Sequence, residues 1–173
     1  EILGETAAQQ ADDPLREVAS LVADARRRIS SLSFELSPPL LHDVGLVAAI
    51  HWLADHMVPQ YGLEVSVDET TEPDLDEATR VTLYRSTREL LINVAKHAQV
   101  RRARVQIGSD GGVVRVAVED HGVGLPLESS RAGFGLLALR ERIAHLGGSV
   151  STGSGAQGVG TRIVVSLPIA SSP

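Results

Sequence analysis

Three short segments of this chain carry residue types and spacings that point to chemistry. In RELLINVAKHAQ, Glu89, Asn93 and His97 recur every four residues. Each step of four turns only ~40° around a helix, so the three side chains project from neighbouring positions on one face. A solvated polar face explains such a stripe as readily as a site does. In VEDHGVGL, a run with strand character ends in Asp120 and is followed by Gly122 and Gly124. A carboxylate at a strand end can accept a hydrogen bond from an exocyclic amine, and the glycines permit close ligand approach. By itself the segment is equally a turn. In RAGFGLLALRERI, Gly133 and Gly135 lie just before a helical pattern, and backbone amides at a helix start form a ready anion site.

The elements that position these segments follow from hydrophobic period. Leu15, Val18, Val22, Ala25, Ile29, Leu32 and Leu36 are spaced by threes and fours, the seam of a coiled coil or bundle helix that needs a partner. Asp12 or Asp13 caps this helix, and Ser37-Pro38-Pro39 stops it. A second helix is expected from about Leu40 to Gln60, with Leu46, Ile50, Leu53 and Met57 on one side. Leu63, Val65 and Val67 then alternate with polar residues as a half-buried strand does. A third helix, from about Asp74 to Ala98, carries the Glu89 stripe. Two further strands flank Asp110-Gly111-Gly112, a hairpin signal. Ala103, Val105 and Ile107 face one way on the first; Val114, Val116 and Val118 oppose Arg115 and Glu119 on the second. A short helix follows, with Leu136, Leu139, Ile143 and Leu146 as its buried stripe and Gly147-Gly148 as its stop. Strands Ser149 to Gly153 and Gly160 to Pro168 close the domain.

Alternating strands mixed with long helices imply one sheet with helices on a single face. The expected fold class is therefore α+β, a two-layer α/β sandwich preceded by a long helix of dimerisation type. Composition agrees: of 173 residues, 43% are hydrophobic and 22% charged, which excludes disorder. No apolar run approaches the ~20 residues of a membrane helix, so no membrane contact is expected. With no cysteine, disulfide scaffolds and thiolate zinc sites are excluded, which fits a reducing compartment. A net charge of −6 speaks against direct nucleic-acid binding. The chain starts at Glu1 and its one methionine is Met57, which reads as a piece of a longer polypeptide without a signal segment.

Order and spacing join the three segments into one pattern. Together they resemble the catalytic ATP-binding domain of sensor histidine kinases, in the GHKL (Bergerat-fold) ATPase superfamily. RELLINVAKHA is similar to the N box, VEDHGVGL to the G1 box, GFGLLALRERI to the G2 box and GVGTRIVVSLP to the last glycine-bearing strand. The KHA ending and the LRERI helix resemble the subfamily with a HisKA-3 dimerisation domain, which signals to response regulators with a helix-turn-helix output domain. The resemblance covers about Leu36 to Pro168.

The resemblance implies ATP and Mg²⁺ as ligands. Asp120 would accept from the adenine amine, while Gly122 and Gly124 let the loop wrap the base. Asn93 would offer its carboxamide oxygen to Mg²⁺, with Lys96 and His97 near the phosphates. Gly133, Gly135 and the helix start at Leu136 would border the triphosphate, and Thr161 would reach the adenine side. Glu89 is the candidate catalytic carboxylate: in ATPase relatives its counterpart activates water, whereas a kinase must deliver phosphate to a histidine.

On this reading residues 1–39 are a partial dimerisation segment (hairpin turn and second helix), 40–169 the catalytic domain and 170–173 a tail. The full-length protein would be a cytoplasmic homodimer, tethered to a membrane only through upstream segments. His42 in PPLLHDVGL has the Leu-His-Asp of a phosphoacceptor motif, but two prolines precede it and the room before Leu63 is too short for a hairpin. It is rejected as acceptor, which places the acceptor helix upstream. His51, His56 and His145 read as helix-surface residues, and Arg101, Arg102 and Arg104 as an exposed strand edge. Two alternatives remain: a GHKL protein of other chemistry (an anti-sigma serine kinase or an ATPase), and a non-catalytic dimerisation domain.

Overall fold

The computed structural model describes residues 39–70, 74–124 and 134–169. The chain divides into two compact units, Glu1–Pro38 and Pro39–Pro173, and every described residue belongs to the second. The Leu15 to Leu36 seam, Gly133 and the C-terminal tail lie outside the described residues.

Helices α1 (Pro39–Asp43) and α2 (Leu46–Tyr61) replace the single helix expected from about Leu40 to Gln60. The break falls at Gly45, whose φ of 113° and ψ of −177° no helix accommodates. Helix α2 ends where Gly62 turns left-handed. There the Gly62 N–H donates to the Val58 carbonyl at 2.8 Å and the Leu63 N–H to Met57 at 3.4 Å, a Schellman-type stop.

Strand β1 (Glu64–Glu69) leads to α3 (Glu77–His97), the helix that carries the polar stripe. Asp76 caps α3, accepting from the Thr79 amide at 2.8 Å and the Thr79 hydroxyl at 3.0 Å. Strands β2 (Arg102–Asp110) and β3 (Val113–Asp120) form the expected hairpin. Its two loop residues, Gly111 and Gly112, both have positive φ (59° and 74°), as a type I′ turn requires. Helix α4 (Phe134–His145), β4 (Ser149–Gly153), a 3₁₀ turn (Ala156–Gly158) and β5 (Thr161–Pro168) follow.

The five strands lie in the order β1-β2-β3-β5-β4, with β1 parallel to β2 and the remaining pairs antiparallel. One face supplies Ala103, Val105, Ile107, Val114, Val116, Val118, Val165 and Leu167 to a core shared with Ile50, Leu53 and Met57 of α2, Leu83, Leu90 and Leu91 of α3, and Leu139 and Ile143 of α4. The sheet therefore carries these helices on one face, as its alternation implies.

Two local expectations need correction, and one residue is more buried than alternation tells. Arg102 and Arg104 are exposed but not on an edge. β2 runs between β1 and β3, and the two guanidiniums pair with Glu64 (3.1 Å) and Asp68 of the true edge strand β1. Leu146 lies beyond the end of α4 and is 44% exposed, so the buried stripe of that helix is Leu139 and Ile143 with Leu136 half-buried. Glu119 lies on the face opposite Val114, Val116 and Val118, as the alternation implies, and is nevertheless buried.

Candidate functional site

The last residue of β3 and the end of α3 are held together by backbone contacts. Asp120 is only 4% exposed, and its Oδ1 accepts the Gly122 amide at 2.8 Å, so the carboxylate folds the loop that follows it. That loop docks on the cap of α3, where the Val123 N–H donates to the Ala98 carbonyl at 3.1 Å. A Cβ on Gly122 would lie 2.0 Å from the same carbonyl oxygen, a distance no side chain tolerates. Glycine here is thus a requirement of the docking between the segment holding Asp120 and the helix holding Asn93.

Strand β5 closes the other side. Thr161 stands opposite Asp120 in register and is buried beside it. Gly124 has a φ of 78°, and a Cβ there would lie 3.4 Å from the Gly160 carbonyl. Asp120, Gly122, Gly124 and Thr161 are thereby brought together. Along α3, Glu89 and Asn93 are half-buried, and Lys96 and His97 are exposed in its last turn.

Helix α4 meets this stripe at its Glu89 end. A Cβ on Gly135 would stand 3.2 Å from Glu89 Oε1, and Arg142 Nη2 donates to Glu89 Oε2 at 3.1 Å and reaches Ser86 Oγ at 3.5 Å. Gly135 and Leu136 are the second and third residues of α4 instead of preceding and starting it, and Leu136 packs against the core. The sequence reading missed Arg142, although its seven-residue spacing from Gly135 places both on one face of a helix.

It also missed Glu119 and Arg162, on the sheet face opposite Asp120. Glu119 Oε1 accepts the Ala156 amide at 2.7 Å, and Oε2 accepts from Arg162 Nη1 at 2.6 Å. The same Arg162 nitrogen donates to Gln106 Oε1 at 2.7 Å, which ties β2, β3 and β5 together. The Ala156 amide holds the Glu119 carboxyl below the usual carboxylate range, with the Arg162 hydrogen bond and charge adding to it against the effect of burial. A carboxyl depressed in the folded state stabilises it above the unfolded pKa of about 4.3 and loses that contribution as pH falls through the folded value. The melting temperature of the chain is therefore expected to fall more steeply on acidification below about pH 4.3 than that of Glu119→Gln. Thermal melts at a series of pH values check this; parallel curves would contradict it.

Residues 78–171 match the family described as histidine kinase-, DNA gyrase B- and HSP90-like ATPases. The chain belongs to this family. Among proteins similar to this ATPase-family chain, the sensor histidine kinase MctS of Rhizobium johnstonii is 34% identical over 83% of the chain and 32% of its own length. The histidine-protein kinase/phosphatase UhpB of Salmonella typhimurium is 35% identical over 92% of the chain and 31% of its own length. The chain thus spans about a third of the length of these curated relatives. The fold is shared with the ATP binding domain of PrrB from Mycobacterium tuberculosis, at a TM-score of 0.60 and 22% identity, covering 69% of this chain and 90% of that one. The described unit is accordingly an α+β catalytic ATP-binding domain of the sensor histidine kinase type. No helix among the described residues is long and apolar enough to cross a membrane.

Proposed function

We propose that this domain binds ATP with Mg²⁺ and delivers the γ-phosphate to a histidine on a dimerisation helix, from which it passes to a response regulator. The observation that carries the reading is Asp120. Its Oδ1 is committed to the Gly122 amide, the one hydrogen bond found for this carboxylate among the described residues, which leaves Oδ2 for a ligand. A nearly buried carboxylate with one free acceptor at a glycine-lined strand end suits the exocyclic amine of adenine. Gly122 and Gly124 let the loop pack against the Ala98 and Gly160 carbonyls beside the expected base, with Thr161 on its other side.

Asn93 is the metal-facing residue of this reading. No group of three or more His, Cys, Asp or Glu among the described residues could hold a metal ion. A single carboxamide oxygen fits Mg²⁺, which keeps waters and takes phosphate oxygens, and does not fit a protein-caged metal. Mg²⁺ would neutralise charge on the phosphates. Lys96 and His97 would add positive charge and donors near them, and the segment around Gly133, Gly135 and Leu136 would border them. Phosphoryl transfer then rests mainly on positioning and charge neutralisation.

Arg142 engages Glu89 through Oε2 and so orients the carboxylate, with Oε1 left to face the phosphates. The partners of the reading are a homodimeric full-length protein of the HisKA-3 kind and a response regulator with a helix-turn-helix output domain, in the cytoplasm.

Incubation with γ-labelled ATP, Mg²⁺ and a histidine-bearing dimerisation domain supplied separately tests it. Acid-labile, alkali-stable label on that histidine is expected. His42, whose Nδ1 lies 3.2 Å from Glu77 at the end of α1, is expected to stay unlabelled. Label on serine, or release of phosphate alone, would overturn the kinase reading.

A further inference from the structure

Glu119 and Asp120 are consecutive on β3, so their carboxylates point to opposite faces of the sheet. Asp120 looks into the layer of helices, and Glu119, only 6% exposed, looks the other way. Burying a charge is costly unless it is paired, and a pair in which the carboxylate is buried while Arg162 keeps 37% of its side chain exposed gives a fold little net stability. The Glu119 pair therefore invites an account beyond stability, and its surroundings supply one.

The segment from Gly155 to Gly160 folds back over the end of β3. A Cβ on Gly160 would stand 2.0 Å from the Asp120 carbonyl oxygen, and one on Gly155 would stand 2.9 Å from it. The Asp120 peptide is thus wedged by two close backbone approaches. Within this segment Gly158 and Val159 donate back to Gly155 and Ala156, which shapes the turn without attaching it to the sheet. Glu119 supplies the attachment through the Ala156 amide, and Arg162 holds the same carboxylate from β5 while also gripping Gln106 of β2.

We propose that the Glu119–Arg162 pair is a positioning device for base recognition, fixing the turn at residues 155–160 against β3 so that the Asp120 carboxylate keeps a single aim. The inference rests on the nucleotide reading above, and it assigns Glu119 and Arg162 a part in adenine selectivity although neither touches the base. With the anchor gone, the turn lifts from the Asp120 carbonyl, β3 frays at its last residue and the carboxylate samples several directions. An acceptor that wanders loses much of its preference for an exocyclic amine over the carbonyl of guanine.

The test is titration of the chain with non-hydrolysable ATP and GTP analogues in the presence of Mg²⁺, for wild type, Glu119→Gln and the paired replacement Glu119→Leu/Arg162→Leu. The paired variant removes both charges at once and so leaves no buried charge unpaired. Wild type is expected to prefer the ATP analogue, and Glu119→Leu/Arg162→Leu is expected to lose about tenfold of that preference, the scale of one charge-assisted hydrogen bond, with a smaller loss in Glu119→Gln, which keeps an acceptor for the Ala156 amide. A purely structural pair would lower the melting temperature and leave the ratio of the two affinities unchanged. That outcome, with a wild type that binds, overturns this inference alone. A wild type that binds neither analogue overturns the nucleotide reading and this inference with it.

Discussion

Gly160→Ala is expected to destabilise the domain by about 2–5 kcal/mol and to weaken nucleotide binding by more than about tenfold. Two penalties act at this position. Its φ of 74° is a left-handed conformation that alanine adopts only at a cost. The new methyl would also sit 2.0 Å from the Asp120 carbonyl oxygen and 2.6 Å from the His121 Cα, both backbone atoms that cannot swing aside. Relief has to come from moving the end of β3, which carries the base-reading carboxylate. Gly111→Asn is the control. Gly111 also has positive φ (59°), but nothing lies within 4 Å of its Cβ direction and asparagine suits a type I′ turn. Denaturant unfolding and titration with an ATP analogue are expected to show a near-neutral Gly111→Asn beside a crippled Gly160→Ala. Equal behaviour of the two would mean that the close contact at Asp120 is absent in solution.

Leu91→Ala is the second large effect, and it reports on the helix that carries the polar stripe. Leu91 is fully buried on α3, in the core shared with α2 and the sheet. Truncation removes the transfer free energy of the side chain and leaves a cavity, about 2–5 kcal/mol together. For a domain of this size that lowers the melting temperature by on the order of 10–20 °C. Below the transition the helix keeps its register, because Leu83, Leu90 and Val94 still hold it to the core. Affinity for the ATP analogue is therefore expected to stay within about threefold of wild type, since no partner of the ligand is removed. Lys96→Ala should show the opposite pattern, with an unchanged melting temperature and weakened binding, because Lys96 is exposed and close to the expected phosphates. Loss of binding in both variants at low temperature would argue that α3 positions the site less rigidly than its burial implies.

Much of this arrangement is legible in the sequence because it follows from local rules. The alternation of Ala103, Val105 and Ile107 fixes the inner face of β2, and Asp110-Gly111-Gly112 fixes the turn. The four-residue spacing of Glu89, Asn93 and His97 fixes the stripe on α3. Gly45 was read through because a lone glycine inside an apolar period looks tolerable, and only its positive φ shows that the helix stops there. The burial of Glu119 stayed hidden for a different reason. Alternation assigns a residue to a face, but it does not say what covers that face. The 3₁₀ turn at Ala156–Gly158 that donates to Glu119, and the Arg162 that pairs with it, come from far along the chain. They arrive through the placement of β5 beside β3, which no local pattern encodes. Arg142 shows the same limit, since its helical face was readable and its partner Glu89, 53 residues earlier, was not.

Calorimetric titration with a non-hydrolysable ATP analogue and Mg²⁺, on the chain and on Asp120→Asn, bears most directly on the assignment of the nucleotide site. Saturable binding is expected, weakened by about tenfold or more in Asp120→Asn because the charged acceptor for the adenine amine becomes neutral. No binding, or equal binding by both proteins, would contradict the placement of the nucleotide at the end of β3.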